Sequence, residues 1–217
     1  MRGRRASCGL AALCAVFTVY GCAEEGERLD PLVSREAPDS FLVSFQTSAG
    51  DFEMAFYRAW SPLAVDRVYR LAQDGFWDGA RIYRVNDRYA QFGYSGRPAL
   101  DSLWIPTGFP DEAVLESNTR GTVSFARGGP GTRSAILFIN RSDNTDLDDL
   151  EWNHVVGFPP VGRVSRGMEA VDVLYAGYGD DPMQWEDSIS GIGNSFFDRH
   201  YPELDSIVTA RLVDIRE

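Results

Sequence analysis

A mainly β domain, folded as a closed antiparallel β-barrel with two capping α-helices, is what the sequence predicts, and three observations carry that expectation. Short runs with apolar residues at every second position recur from Phe41 to Val213, the period of a strand with one buried face. Only two segments, near Ser61 and near Met168, carry apolar residues at helical spacing. The composition is 44% hydrophobic and 12% aromatic, enough to fill one core. The 217 residues make one ordinary domain with a leader rather than two domains. Many short strands with two helices fit a barrel whose ends the helices plug.

The first element is a hairpin. Phe41, Val43 and Phe45 alternate with Leu42, Ser44 and Gln46, Ala49-Gly50-Asp51 supplies a turn, and Phe52, Met54 and Phe56 alternate again. A helix follows: Ser61 can cap it, Pro62 suits its first position, Ala64, Val68, Leu71 and Ala72 share a face, and Gly75 stands where it should stop. Short strands are expected at Ile82–Val85, Ala90–Phe92, Thr122–Ala126, Leu137–Ile139 and Val161–Val164, a second helix from about Met168 to Tyr175, and a last strand at Ile207–Val213. Residues 178–206 carry Gly, Asp and aromatic residues without a period and suggest no element or role.

The N-terminus reads as an export signal. Arg2, Arg4 and Arg5 precede a short apolar run from Leu10 to Val19, too short for the roughly 20 residues a bilayer-spanning helix needs. It ends at Val19-Tyr20-Gly21-Cys22, which resembles the lipobox of bacterial lipoproteins. Residues 1–21 are therefore expected to be a signal peptide and Cys22 the site of lipidation. Residues 22–40, acidic and with two prolines, are expected to form a flexible tether, and residues 41–217 the folded domain. The expected location is the cell envelope, facing the periplasm. Ala23 after the cysteine favours the outer membrane.

Charge and cysteine usage exclude several function classes. The net charge of -11 argues against nucleic acid as a partner. All three cysteines, Cys8, Cys14 and Cys22, fall in the leader, so the domain has no disulfide framework and no thiolate nucleophile. With two histidines and no H-E-x-x-H pattern, a zinc hydrolase is disfavoured. The acidic run Asp143–Asp149 lacks the central glycine of a calcium loop and reads as a solvated face.

The ordered set of motifs resembles the cyclophilin family of peptidyl-prolyl isomerases. Gly75-Phe76-Trp77-Asp78-Gly79 leading into Ile82-Tyr83-Arg84-Val85 is similar to the family's G-x-Y-D-G and F-H-R-V segment. Gly121 to Ala126 resembles its G-x-x-S-M-A strand. Gly129-Pro130-Gly131-Thr132-Arg133-Ser134 with Leu137-Phe138-Ile139 resembles G-P-x-T-x-G-S-Q-F-F-I, and Phe158 to Val164 with Gly167-Met168 resembles x-V-F-G-x-V-x-x-G-M. The resemblance covers roughly residues 41–215 and implies a cyclophilin-like barrel. It places Arg84 on the catalytic arginine and Gln91 on the glutamine that binds the substrate backbone. Ala126, Phe138 and Leu147 fall on walls of the proline pocket. The segment between Arg84 and Gln91 is one residue shorter than the family's spacing, so its pocket phenylalanine corresponds to Tyr89, or to Arg88 if the gap lies earlier. Ile136 stands where a second glutamine is common. The family's pocket histidine aligns with Phe158, while His154, in a small insertion (149–157), could swing into the same place.

The implied chemistry needs neither metal nor cofactor. Rotation about a peptide bond faces about 18–20 kcal/mol because the nitrogen lone pair is delocalised, and unaided exchange at X–Pro takes tens to hundreds of seconds. A catalyst must bind the twisted amide better than either planar form. A guanidinium aimed at the proline nitrogen bonds best when twisting restores its lone pair, which is the role the resemblance implies for Arg84. Guanidinium groups stay charged at physiological pH, so a flat pH dependence is expected. The expected partners are proline-containing segments of exported proteins and, through Cys22, a membrane; the chain is expected to act as a monomer. A non-catalytic module that binds proline-containing segments is the rival reading. It is motivated by Ile136, Phe158 and the shortened loop; retention of Arg84 favours the enzyme.

Overall fold

The computed structural model describes residues 36–216. The expected signal peptide, Cys22 and most of the tether lie outside the described residues. The chain runs β1 (Ser40–Thr47), β2 (Phe52–Tyr57), α1 (Pro62–Gln73), β3 (Ile82–Val85), β4 (Tyr89–Phe92), α2 (Pro98–Trp104), β5 (Thr122–Phe125) and β6 (Leu137–Asn140). Then come β7 (Glu151–Trp152), β8 (Val155–Val156), β9 (Pro160–Arg166), α3 (Met168–Asp172), α4 (Glu186–Ile192), α5 (Asn194–His200) and β10 (Ile207–Arg216). Single 3₁₀ turns occupy Thr145–Leu147 and Asp181–Trp185.

Eight strands form one curled antiparallel sheet in the order β10-β1-β2-β9-β5-β6-β4-β3, and β7 and β8 form a separate small hairpin. The barrel expected from the sequence is not closed. Edge strands β3 and β10 meet only through the isolated bridge Arg81–Ser206 and hydrogen bonds at its flanks, such as Ile82 N to Asp205 O at 2.9 Å. A ladder cannot extend there because the chain before Ile207 arrives from α5 rather than as strand.

The strand pattern does what its period requires. Phe41, Val43 and Phe45 of β1 and Phe52, Met54 and Phe56 of β2 are all buried in the main core. Helix α1 packs Ala64, Val68, Leu71 and Ala72 into the same core, and Gly75 ends it with a left-handed φ of +59°. Its N-terminal cap differs from expectation. Ser61 makes no side-chain cap bond; the carboxylate of Glu112 accepts from Leu63 N at 2.7 Å and Ala64 N at 3.1 Å. Ser61 Oγ and the buried Arg133 Nη2 (3.2 Å) donate to the same carboxylate. A distant acid thus takes the anionic place that the helix N-terminus favours.

Two further expectations are corrected. Among the described residues there are five α-helices rather than two, and the helix expected over Met168–Tyr175 stops at Asp172. Helices α4 and α5 arise in the region without a sequence period. They pack Ile189, Phe196 and Phe197 with Tyr83, Tyr94 and Tyr201 in a second, smaller apolar cluster. At the other end, Ala37, placed in the tether by the sequence, is buried, and its N–H donates to Asp66 Oδ1 at 2.8 Å.

Candidate active site

The site follows from strand register. Residues opposite one another in antiparallel strands share a face. Arg84 of β3 stands opposite Gln91 of β4, Gln91 opposite Phe138 of β6, and Phe138 opposite Ser124 of β5. One row across the sheet therefore presents a guanidinium, an amide and an aromatic ring side by side. Their neighbours Ala90, Leu137 and Ile139 point the other way, into the main core.

This row lies in a groove of roughly 560 Å³. Arg84 Nη1 donates to Gln91 Oε1 at 3.1 Å, and Gln91 Nε2 donates to the Tyr83 hydroxyl at 2.7 Å. Burial pushes the Tyr83 phenol well up, so it stays neutral. Arg84 Nε donates to Asp180 Oδ1 at 2.6 Å, and Asn86 Nδ2 donates to the same oxygen at 2.8 Å. The Arg84 partner holds the Asp180 carboxyl below the usual carboxylate range. With Nε and Nη1 both held, the plane of the guanidinium is fixed, and Arg84 Cζ lies 5.0 Å from the Tyr89 ring centroid.

The apolar floor is an aromatic series. Phe138 meets Tyr89 edge-on at 5.3 Å and Phe158 at 6.0 Å. Ala126 and Leu147 line the groove beside them; Leu147 is presented by the first 3₁₀ turn. Of Tyr89 and Arg88, it is Tyr89 that lines the groove. Asn86 Oδ1 accepts from the N–H groups of both residues, and the resulting turn sends Arg88 outward to Asn144 and Asp146.

Arg84, Gln91, Tyr89, Ala126, Phe138, Leu147 and Phe158 are thus gathered in one groove, and His154 is not among them. Asn153 and His154, at φ +46° and +68°, are the two central residues of the tight turn joining β7 to β8, a geometry that needs positive φ at both. The turn leaves His154 exposed at the hairpin tip. Phe158 fills the wall instead, beneath the guanidinium of Arg127 at 4.2 Å.

Sequence reasoning missed the opposite wall. Met183 and Glu186, from the segment without a period, line the groove with Tyr94. Met183 Sδ lies 3.6 Å from Gln91 Nε2. Burial raises the Glu186 carboxyl above its ordinary value.

Comparison with known proteins identifies the family. The family model described as cyclophilin type peptidyl-prolyl cis-trans isomerase/CLD matches residues 42–194. Peptidyl-prolyl cis-trans isomerase A of Dickeya dadantii is 30% identical over 142 residues, covering 64% of this chain and 73% of that protein. Peptidyl-prolyl cis-trans isomerase-like 3 of Gibberella zeae is 28% identical over 156 residues, covering 66% and 92%. The crystal structure of a cyclophilin type peptidyl-prolyl cis-trans isomerase from Cryptosporidium parvum superposes with a TM-score of 0.59 at 16% identity, covering 82% of this chain and 99% of that one; that likeness concerns the fold. The match to the family model, over a chain that sets an arginine and a glutamine beside an aromatic floor, shows that the protein belongs to the cyclophilin-type peptidyl-prolyl cis-trans isomerases.

Proposed function

We propose that the chain isomerises X–Pro bonds in exported envelope proteins, with Arg84 and Gln91 as its catalytic pair and a lipid on Cys22 as its membrane anchor. The observation that carries the reading is the side-by-side placement of Arg84 and Gln91 (Nη1 to Oε1, 3.1 Å) in register with Phe138.

In this reading the proline ring rests on Phe138 between Tyr89 and Phe158, with Leu147 and Ala126 at its sides. Gln91, whose Oε1 and Nε2 each keep bonding capacity beyond Arg84 and Tyr83, holds the substrate backbone. The rest of the peptide turns about the bond. As the amide leaves planarity, the proline nitrogen becomes pyramidal and regains its lone pair. The Arg84 Nη2 group, which makes no hydrogen bond among the described residues, then donates to that nitrogen. The interaction is stronger in the twisted state than in either planar one, and so lowers the barrier. No proton is transferred and no covalent intermediate forms.

Exchange of a short X–Pro peptide, measured by NMR on the soluble domain, tests the assignment. Arg84→Ala is expected to lower kcat/KM by about a hundredfold or more, the usual cost of one transition-state donor. Peptide binding without faster exchange in the unaltered protein would identify a recognition module instead. Labelling with a palmitate analogue tests the anchor: the label is expected on the full chain and absent from Cys22→Ala. An unlabelled full chain would remove the lipid from the proposal.

A further inference from the structure

The groove extends beyond the residues that hold a proline. Its far side is the β7–β8 hairpin, where Leu150 and Trp152 line the same cavity as Phe138 and Phe158 while remaining 40% and 52% exposed. We propose that this hairpin is a second subsite, which takes a large apolar or aromatic side chain of the substrate polypeptide flanking the proline. The inference rests on the isomerase reading above and adds a sequence preference to it.

Two features support a built site over an incidental loop. First, the hairpin is fixed from beneath. Arg127, 9% exposed, donates from Nη1 to Trp152 O at 2.9 Å and from Nη2 to Val155 O at 3.0 Å and Gly157 O at 2.6 Å. Asn153 Nδ2 donates to Gly128 O and Gly157 N to Leu150 O at 3.0 Å. Three carbonyls of a short hairpin thus converge on one buried guanidinium, whose Cζ lies over the ring of the groove residue Phe158. The hairpin and the proline floor share one fastening, the Arg127 guanidinium. Second, an indole and an isobutyl group are left half in water on that support. Their apolar area is unpaid for in the free protein and is recovered only when something covers it. A preorganised aromatic anchor at low entropic cost is the usual form of a recognition hot spot. The occupant is set by continuity. A peptide whose proline rests on Phe138 passes the hairpin within a few residues, since an extended chain advances about 3.3 Å per residue.

The test is a peptide scan. Peptides with one X–Pro bond in an alanine background carry Leu or Trp at each of three positions on either side, and exchange is measured with the unaltered domain and with Trp152→Ala. At one position or more, the apolar peptide is expected to exceed its alanine counterpart in kcat/KM by about tenfold, and this ratio is expected to fall near one in Trp152→Ala. The Trp152 indole N–H resonance is expected to shift on binding the preferred peptide and not the alanine peptide. Equal kcat/KM across the scan, or a preference unchanged in Trp152→Ala, overturns the subsite while leaving the isomerase reading intact. Binding that shifts the indole without any catalysed exchange supports the subsite and overturns the catalytic roles. Absence of binding to every peptide overturns both.

Discussion

On one wall of the groove Arg84, Gln91 and Phe138 stand in a row across three hydrogen-bonded strands. On the other, Met183 and Glu186 reach in from a 3₁₀ turn and a short helix, tied to β3 by the single bridge Val85–Gly179 and by Asp180 on Arg84. The sheet wall has a buried reverse side: Ala90, Phe92, Leu137 and Ile139 are sealed into the main core, so its geometry is determined twice, by backbone pairing and by packing. The appended wall rests on the smaller apolar cluster, where Ile189 and Phe197 meet Tyr83 and Tyr94, and on polar anchors: Asp180 on Arg84 and Asn86, Asp181 accepting from the Tyr201 hydroxyl at 2.7 Å, and Asn194 Nδ2 donating to Gly79 O at 2.9 Å. The contrast teaches that the row proposed for catalysis is placed by backbone pairing and the main core, whereas the facing wall rests on a smaller cluster and on contacts between side chains.

That contrast can be broken by substitution. Phe92→Ala attacks the sheet wall from behind, where Phe92 packs edge-on against Phe45 and Trp77 at 5.9 Å each. It is expected to cost about 3–5 kcal/mol in urea unfolding; a loss below about 1 kcal/mol would mean that the reverse side does not fix the row. Asp180→Ala on the other wall is expected to leave stability nearly unchanged, because its side chain is exposed, yet to lower kcat/KM about tenfold by freeing the guanidinium. Asp180→Asn, which keeps the accepting oxygen, should restore most of that loss. A stability loss matching that of Phe92→Ala would erase the distinction between the walls.

The smallest effect sharpens the same point through pH. Arg84 holds the Asp180 carboxyl low, so the contact is complete at neutral pH and throughout the ordinary carboxylate range. It is lost only as pH falls through the lowered value. The kcat/KM profile is accordingly expected to stay flat from neutrality to about pH 4, with a decline beginning below it. A fall centred above that range would place a different carboxyl in control.

How much of this was legible in the sequence follows the same division. Strand periods located β3, β4 and β6, because a period of two is a backbone property written residue by residue; that Arg84, Gln91 and Phe138 on them share a site was implied only by the family resemblance. Whether the sheet closes is not so written: it depends on where the chain before Ile207 comes from, and that is tertiary. Ser61 does stand at the N-cap of α1, but the acceptor of the first amides is Glu112, which lies far along the chain, and capping signals are read locally. His154 was drawn toward the pocket by its neighbourhood in sequence, but the positive-φ turn it occupies turns it out. The appended wall carried no period because its helices are short and its anchors are side chains meeting distant carbonyls and carboxylates.

Glu112 has a consequence for motion as well as for stability. Its carboxylate joins the first amides of α1 to Arg133, which lies in the loop leading into β6, beside the groove residues Thr132 and Ser134. Loops at binding sites commonly open as independent low-energy units; this one shares a fastening with the helix that plugs the core. The Leu63 and Ala64 amides and the loop around Arg133 should therefore exchange with solvent as one cooperative unit, and Ser61, Glu112 and Arg133 form a triad in which drift at one position strands the other two. Breathing at the mouth of the groove is thus geared to the unwinding of the first turn of a helix whose body lies in the main core.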